Sequence, residues 1–163
     1  MVILGIDPGL LYCGYGIIKK DGSKVMLLDY GYLKLSSSKN IAQRLSTIHI
    51  FFDQLIQKYQ VTDVSLETPF LGKNAQNFLK LGYVRGILYL LVHHHQAIIH
   101  EFSPREIKRA LTGWGGAPKD QVAHVILNLF PRMEKPERED VTDALAVTLC
   151  GLWNNSRTIP SLR

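Results

Sequence analysis

Apolar and polar positions along the chain follow two periods in turn. Residues 2–6 form an almost continuous apolar run closed by Asp7-Pro8-Gly9, the pattern of a central strand covered on both faces. Pro8 and Gly9 force a turn directly after the acid. Residues 12–18 and 25–35 predict two further strands, with Lys19-Lys20-Asp21-Gly22 as the hairpin turn between them. After a polar break at 36–40 the period changes. Ile41, Leu45, Ile48, Phe52, Leu55, Ile56 and Tyr59 recur at three- and four-residue steps, which predicts a helix. Residues 61–67 return to a strand that Pro69 ends.

The segment 74–92 predicts a helix that is apolar on more than one side. Phe78, Leu81, Arg85 and Leu88 mark one face, and Leu79, Tyr83, Gly86, Ile87 and Leu90 mark another. Two stripes imply burial against a second chain or deep in a core, and Gly82 and Gly86 would let another backbone come close. Residues 97–102 predict a short strand. Ser103-Pro104 then supplies an N-cap and a first-turn proline for a helix through Leu111. Residues 112–118, with three glycines and a proline, predict a mobile loop. Helices are expected over 119–130 and from about 140 to 153, separated by a charged loop. Interleaved strands and helices with an initial hairpin make the class α/β with a mixed sheet. One domain is expected over residues 1–156, followed by a short polar tail at 157–163.

Composition adds bounds. The 163 residues suffice for one domain with a real core. Apolar residues make up 46% and charged residues 20%, which excludes a disordered chain. The longest apolar run after the N-terminus, residues 87–92, is far short of the ~20 residues of a membrane span. No basic leader precedes the first apolar stretch, so a cytoplasmic location is expected. Cys13 and Cys150 both lie in apolar surroundings, which fits neither a disulfide scaffold nor a thiolate metal site. His93-His94-His95 reads as a solvated helix end, since adjacent side chains point in different directions. The net charge of +5 is concentrated in residues 70–119, which hold seven basic and two acidic residues. A solvated surface or a phosphate footprint would both give that count; Phe70, Phe78 and Tyr83 in the same window suit the second.

Four acids stand out by position. Asp7 and Glu67 each end a predicted strand, where side chains emerge at the sheet's carboxyl edge. Asp140 and Asp143 project from one face of a helix start, where they also suit the helix dipole as caps. Acids from two strand ends and one helix start can converge, and converged carboxylates repel one another unless cations neutralise them. An all-oxygen set selects magnesium or manganese over zinc. Two such ions ~3.5–4 Å apart are the usual apparatus for in-line attack of water on a phosphodiester.

These residues carry a resemblance. Ile6-Asp7-Pro8-Gly9 with Gly14-Tyr15-Gly16, Glu67 with Phe70, and Lys73-Asn74 form its first half. Leu79-Lys80-Leu81-Gly82 with Arg85-Gly86, Lys119 with Gln121-Val122, and Asp140-x-x-Asp143-Ala144-Leu145-Ala146 form its second. Over about residues 2–150 the chain resembles the RuvC family of bacterial Holliday junction resolvases. The resemblance implies a ribonuclease-H-like fold, a five-stranded mixed sheet flanked by helices, and a homodimer through the helix at 74–92. It implies a metal-dependent endonuclease of recombination and DNA repair that cuts four-way junctions by paired symmetric nicks, leaving 5′ phosphate and 3′ hydroxyl ends. Asp7, Glu67, Asp140 and Asp143 would be the catalytic, metal-binding acids, holding two Mg2+ ions, with Mn2+ a plausible substitute. Lys108 and Lys119 match family lysines near the scissile phosphate, although a generic phosphate clamp or a solvated lysine would read the same.

Phe70 would stack on a junction base; the alternative is a core residue, but its place after Pro69 favours exposure. Lys73, Asn74, Lys80, Arg105 and Arg109 are assigned to DNA contacts. A branch-migration motor is the partner the family implies. Cys13 in place of the usual Thr, and Trp114 in the glycine loop, are departures that leave the four acids intact. Rival readings are a non-cutting binder of branched DNA, an actin-like phosphotransferase, for which 163 residues leave no second domain, and a ribonuclease on RNA–DNA hybrid.

Overall fold

A computed structural model of the chain describes residues 1–69 and 75–153. Ten elements follow one another: β1 (Val2–Asp7), β2 (Tyr12–Asp21), β3 (Lys24–Lys34), α1 (Ile41–Tyr59), β4 (Asp63–Glu67), α2 (Ala75–His94), β5 (Ile98–Phe102), α3 (Pro104–Thr112), α4 (Lys119–Leu129) and α5 (Glu139–Trp153). The strands make one sheet in the order β3-β2-β1-β4-β5, and the expected five-stranded mixed sheet flanked by helices is borne out. β1, β2 and β3 pair antiparallel, whereas β1-β4 and β4-β5 are parallel. The hairpin turn is tighter than the sequence pattern suggests. Lys19, Lys20 and Asp21 stay in β2, paired with Met26, Val25 and Lys24, and Gly22 turns the chain at φ 57°. The polar side chains there sit at the solvated end of a ladder that backbone pairing alone prolongs.

The pleat divides the sheet into two faces with separate cores. Leu4, Ile6, Ile17, Val64 and Leu66 join the core under α1 and α2, while Ile3 and Ile18 join the core under α3, α4 and α5. Period-two alternation then sends Gly5 and Asp7 of β1, and Ser65 and Glu67 of β4, to the second face. α1 and α3 both open on capping boxes, Asn40 with Gln43 and Ser103 with Glu106, the latter with Pro104 in the first turn as expected. Among the described residues no helix is long and apolar enough to cross a membrane.

α5 is the central element of the second face, with Val141 and all residues from 144 to 152 buried. It lies so close that the sheet has no room for side chains beneath it. A Cβ on Gly14 would run into the carbonyl oxygen of Asp140, and one on Gly5 would stand 2.5 Å from the carbonyl oxygen of Ala144. Thr148 closes the seam, its Oγ1 donating to the carbonyl of Ala144 at 2.7 Å. The polar tail, the domain end at 156, and Phe70, Lys73 and Asn74 lie outside the described residues.

Gly5→Ala is therefore expected to lower stability by about 2–3 kcal/mol, because a methyl group there meets backbone that cannot yield without lifting α5. Urea denaturation followed by circular dichroism measures it; a loss within experimental error would show that the helix can shift freely.

Candidate active site

Asp7 and Glu67 are the last residues of β1 and β4, on the α5 side of the sheet. Asp140 and Asp143 lie in the first turns of α5, held over β2 by the contact between Gly14 and the Asp140 backbone. Asp7, Glu67 and Asp143 line one cleft of about 280 Å³ with Lys108 and Lys119, and Pro104, Ile107, Val122 and Ala146 complete its walls. Thus the sheet supplies two acids, α5 supplies Asp143 from above, and α3 and α4 each supply a lysine, while Asp140 stands outside the cleft lining.

The electrostatics register the convergence. The Asp7 carboxyl is pushed up to about 7, first by burial and then by the charges of Asp143, Asp140 and Glu67, with Lys119 opposing. Glu67 is also raised, by burial and Asp143, against Lys119 and Lys108. Every acid expected at the site therefore acts on Asp7. Two cations partly balance them: Lys119 Nζ donates to Asp143 at 2.9 Å and to Glu139 at 3.3 Å, and Arg138 Nε donates to Asp140 at 2.8 Å. With Asp143 and Asp140 turned to these partners, no group of three acidic, His or Cys side chains among the described residues is drawn in tightly enough to hold one ion. The donor set nonetheless suits a hard divalent cation. It is all carboxylate oxygen, and it carries more negative charge than the adjacent lysines neutralise.

Cys13 braces the turn after Asp7: its buried thiol donates to the carbonyl of Gly9 at 3.0 Å, and burial pushes that thiol up to about 12. The hydrogen bond is one that a hydroxyl would also make. Arg85 corrects the charge count. It is 8% exposed, forms an ion pair with Glu101 and donates to the backbone carbonyl of Glu67 at 2.7 Å. It anchors the end of β4 instead of adding to a surface footprint.

Arg138 is the residue that sequence reasoning missed. Its guanidinium lies 3.4 Å from the centroid of the Tyr12 ring and 5.7 Å from that of Tyr32, which aims it at Asp140. Lys80 lies away from the cleft, in a groove with Leu10, Leu11, Lys39 and Asn40, and Arg105 and Arg109 are exposed on α3. His93 and His94 are exposed at the end of α2, but His95 turns back to bond Asp53 at 2.7 Å.

The sequence model of the family described as "Crossover junction endodeoxyribonuclease RuvC" matches residues 3–151. A protein of that description from Pelodictyon phaeoclathratiforme is 41% identical over 160 residues, covering 98% of this chain and 84% of the relative. One from Alkaliphilus metalliredigens is 40% identical over 150 residues, covering 92% of each. The structure of T. thermophilus RuvC in complex with Holliday junction substrate superposes with a TM-score of 0.89 at 26% identity, covering 95% of this chain and 94% of that one. The fold is accordingly ribonuclease-H-like.

Because Asp7 binds its proton more tightly folded than unfolded, the folded chain carries an extra proton between about pH 4 and 7, and stability falls as pH rises through that window. In EDTA, Asp7→Asn is expected to melt several degrees above the parent at pH 8, with the gap closing toward pH 4 as the parent protonates. Equal melting at pH 8 would mean that Asp7 carries no such strain.

Proposed function

The chain belongs to the RuvC family of crossover junction endodeoxyribonucleases, and from that premise we propose that it resolves four-way DNA junctions by metal-dependent hydrolysis of one phosphodiester in each of two like strands. The observation that carries this reading is the meeting of Asp7, Glu67 and Asp143 with Lys108 and Lys119 in one cleft, with Asp140 near enough for its charge to act on Asp7. A site that only bound DNA would gain nothing from acids next to phosphates. Asp7, Glu67, Asp140 and Asp143 would hold the ions, two Mg2+ per site with Mn2+ able to substitute. Bound there, the ions supply charge neutralisation and a more acidic water.

The chain's own residues do the rest. Burial and mutual repulsion raise the proton affinity of Asp7 and Glu67, so each carboxylate, once ionised, is left in need of a cation. Lys119 and Lys108 place ammonium groups in the same cleft, where they can stabilise charge developing on a phosphate oxygen. Water adds to phosphorus as the bond to the 3′ oxygen breaks, which leaves 5′ phosphate and 3′ hydroxyl ends. Arg105 and Arg109 on α3 extend the basic wall outward, and Lys80 marks a second contact beside α1. Phe70, Lys73 and Asn74 remain assigned to DNA contacts by resemblance, as does a branch-migration complex as partner.

Paired nicks require two sites, and α2 offers the surface for joining two copies. Leu79, Tyr83 and Leu90 are exposed on it, and a Cβ added to Gly82 or Gly86 would meet nothing. A two-fold axis there would relate the sites symmetrically.

Two outcomes are expected. With magnesium, the chain cuts a synthetic four-way junction and leaves a linear duplex and an RNA–DNA hybrid intact; Asp7→Asn, Glu67→Gln, Asp140→Asn and Asp143→Asn each abolish the cut but keep junction binding in gel shifts. Cutting that persists in EDTA, or that prefers the hybrid, would overturn the reading. Leu79→Arg is expected to turn a sedimenting dimer into a monomer with a circular dichroism spectrum like the parent's. A parent that sediments as a monomer would remove α2 as the interface.

A further inference from the structure

Trp114 is 63% exposed, more than any other large apolar side chain described. It sits in the segment joining α3 to α4, the two helices that carry Lys108 and Lys119 into the cleft. The expected mobile loop there is instead a braced turn. Gly113 ends α3 in the left-handed region at φ 79°, and Trp114 N–H donates to Thr112 Oγ1 at 3.2 Å. Thr112 Oγ1 and the Ala117 N–H both bond the Trp114 carbonyl, at 3.0 and 3.2 Å, and Ala117 is fully buried. The indole lies down on bare backbone: a Cβ on Gly116 would come within 2.7 Å of its Cζ2. The stem of Arg105 uses Gly115 the same way, 2.5 Å from where a Cβ would be.

A large flat ring is thus fixed in orientation by the chain beneath it while its body stays open to water. Packed away, such a ring would bury 150–250 Å². The charges nearest along the chain are Lys108, Arg105 and Arg109 on α3 and Lys119 with Asp120 on α4, of which Arg105 packs on the same loop at Gly115; Glu106 is occupied in its capping box. A held aromatic face beside cations matches the two halves of a nucleotide, base and phosphate.

We propose that Trp114 is a stacking platform for a nucleobase that has lost its neighbour at the branch of the DNA, next to the strand lying in the cleft. This rests on the endonuclease reading above. Duplex interiors offer no free base face, so the platform discriminates branched from linear DNA.

The test uses the full chain with Trp153→Phe, which leaves Trp114 as the sole tryptophan. In EDTA, where nothing is cut, a four-way junction is expected to quench its fluorescence in step with the anisotropy of the same junction carrying a dye. A linear duplex of equal length is expected to leave the fluorescence unchanged. Trp114→Ala should weaken junction binding about five- to hundredfold, and Trp114→Phe should weaken it less. Anisotropy that rises without quenching, or equal quenching by linear duplex, overturns the platform and leaves the endonuclease reading standing. Anisotropy that stays flat with the junction overturns both. Should Trp114→Ala fail to fold, the fluorescence measurement decides alone.

Discussion

Everything at the cleft depends on how near α5 comes to the sheet. An α-helix on a sheet is ordinarily separated from it by a layer of side chains. Here Gly5 and Gly14 remove that layer, so backbone meets backbone at Ala144 and Asp140. The first turn of α5 is thereby fixed directly above the end of β1. Two acids that are 133 residues apart in sequence, Asp7 and Asp140, come to feel each other's charge. Thr148, whose Oγ1 also donates to the carbonyl of Gly16 on β2 at 3.3 Å, ties the helix to the sheet along the seam. The same close packing makes α5 almost wholly buried, which is why its sequence is apolar on every side after Asp143.

That packing creates an electrostatic debt that the fold leaves partly open. Burying a carboxylate among others costs free energy, and the cost appears as the raised proton affinity of Asp7 and Glu67. A structure selected for stability alone would satisfy such a group with a buried partner, as Arg85 does for Glu101 by an ion pair and His100 does for Asp63 by a hydrogen bond. At the cleft the available cations come instead from its rim. Lys119 is mostly exposed, and Arg138 stacks on Tyr12 and Tyr32 from outside the acids. Lys119 pairs with Asp143 and Glu139 and Arg138 with Asp140, so both cations could leave these acids without unfolding a core contact. Function and stability are therefore set against each other on one face of the sheet, while the α1/α2 face carries conventional packing.

Much of this was legible in the chain. The apolar run ending in Asp7, the strand ending in Glu67 and the Asp140–Asp143 spacing on α5 named the acids, because pleat and helix period decide where such side chains emerge. The Ser103-Pro104 cap was legible because its signal is local. What escaped was non-local. Arg85 looks like any basic residue on a helix, and only the fold brings Glu101 and the Glu67 carbonyl to it. Arg138 depends on two tyrosines from β2 and β3. The bracing of residues 112–118 depends on Thr112 folding back onto its own loop, where a count of glycines reads only freedom.

The two faces also keep the outward apolar side of α2 apart from the cleft. α2 packs on the α1 side of the sheet through Val84, Leu88, Leu91 and Val92, and leaves Leu79, Tyr83 and Leu90 outward. Its apolar residues go all the way round because the inner set belongs to the chain's own core and the outer set is left over. The cleft opens on the opposite face, between α3, α4 and α5. A dimer formed through α2 would therefore cover no acid and no lysine of either site. The connection between the two faces runs through Arg85, which leaves α2 to hold the carbonyl of Glu67. A displacement of α2 by a partner copy would reach the end of β4 through that bond, at the same residue whose carboxylate lines the cleft.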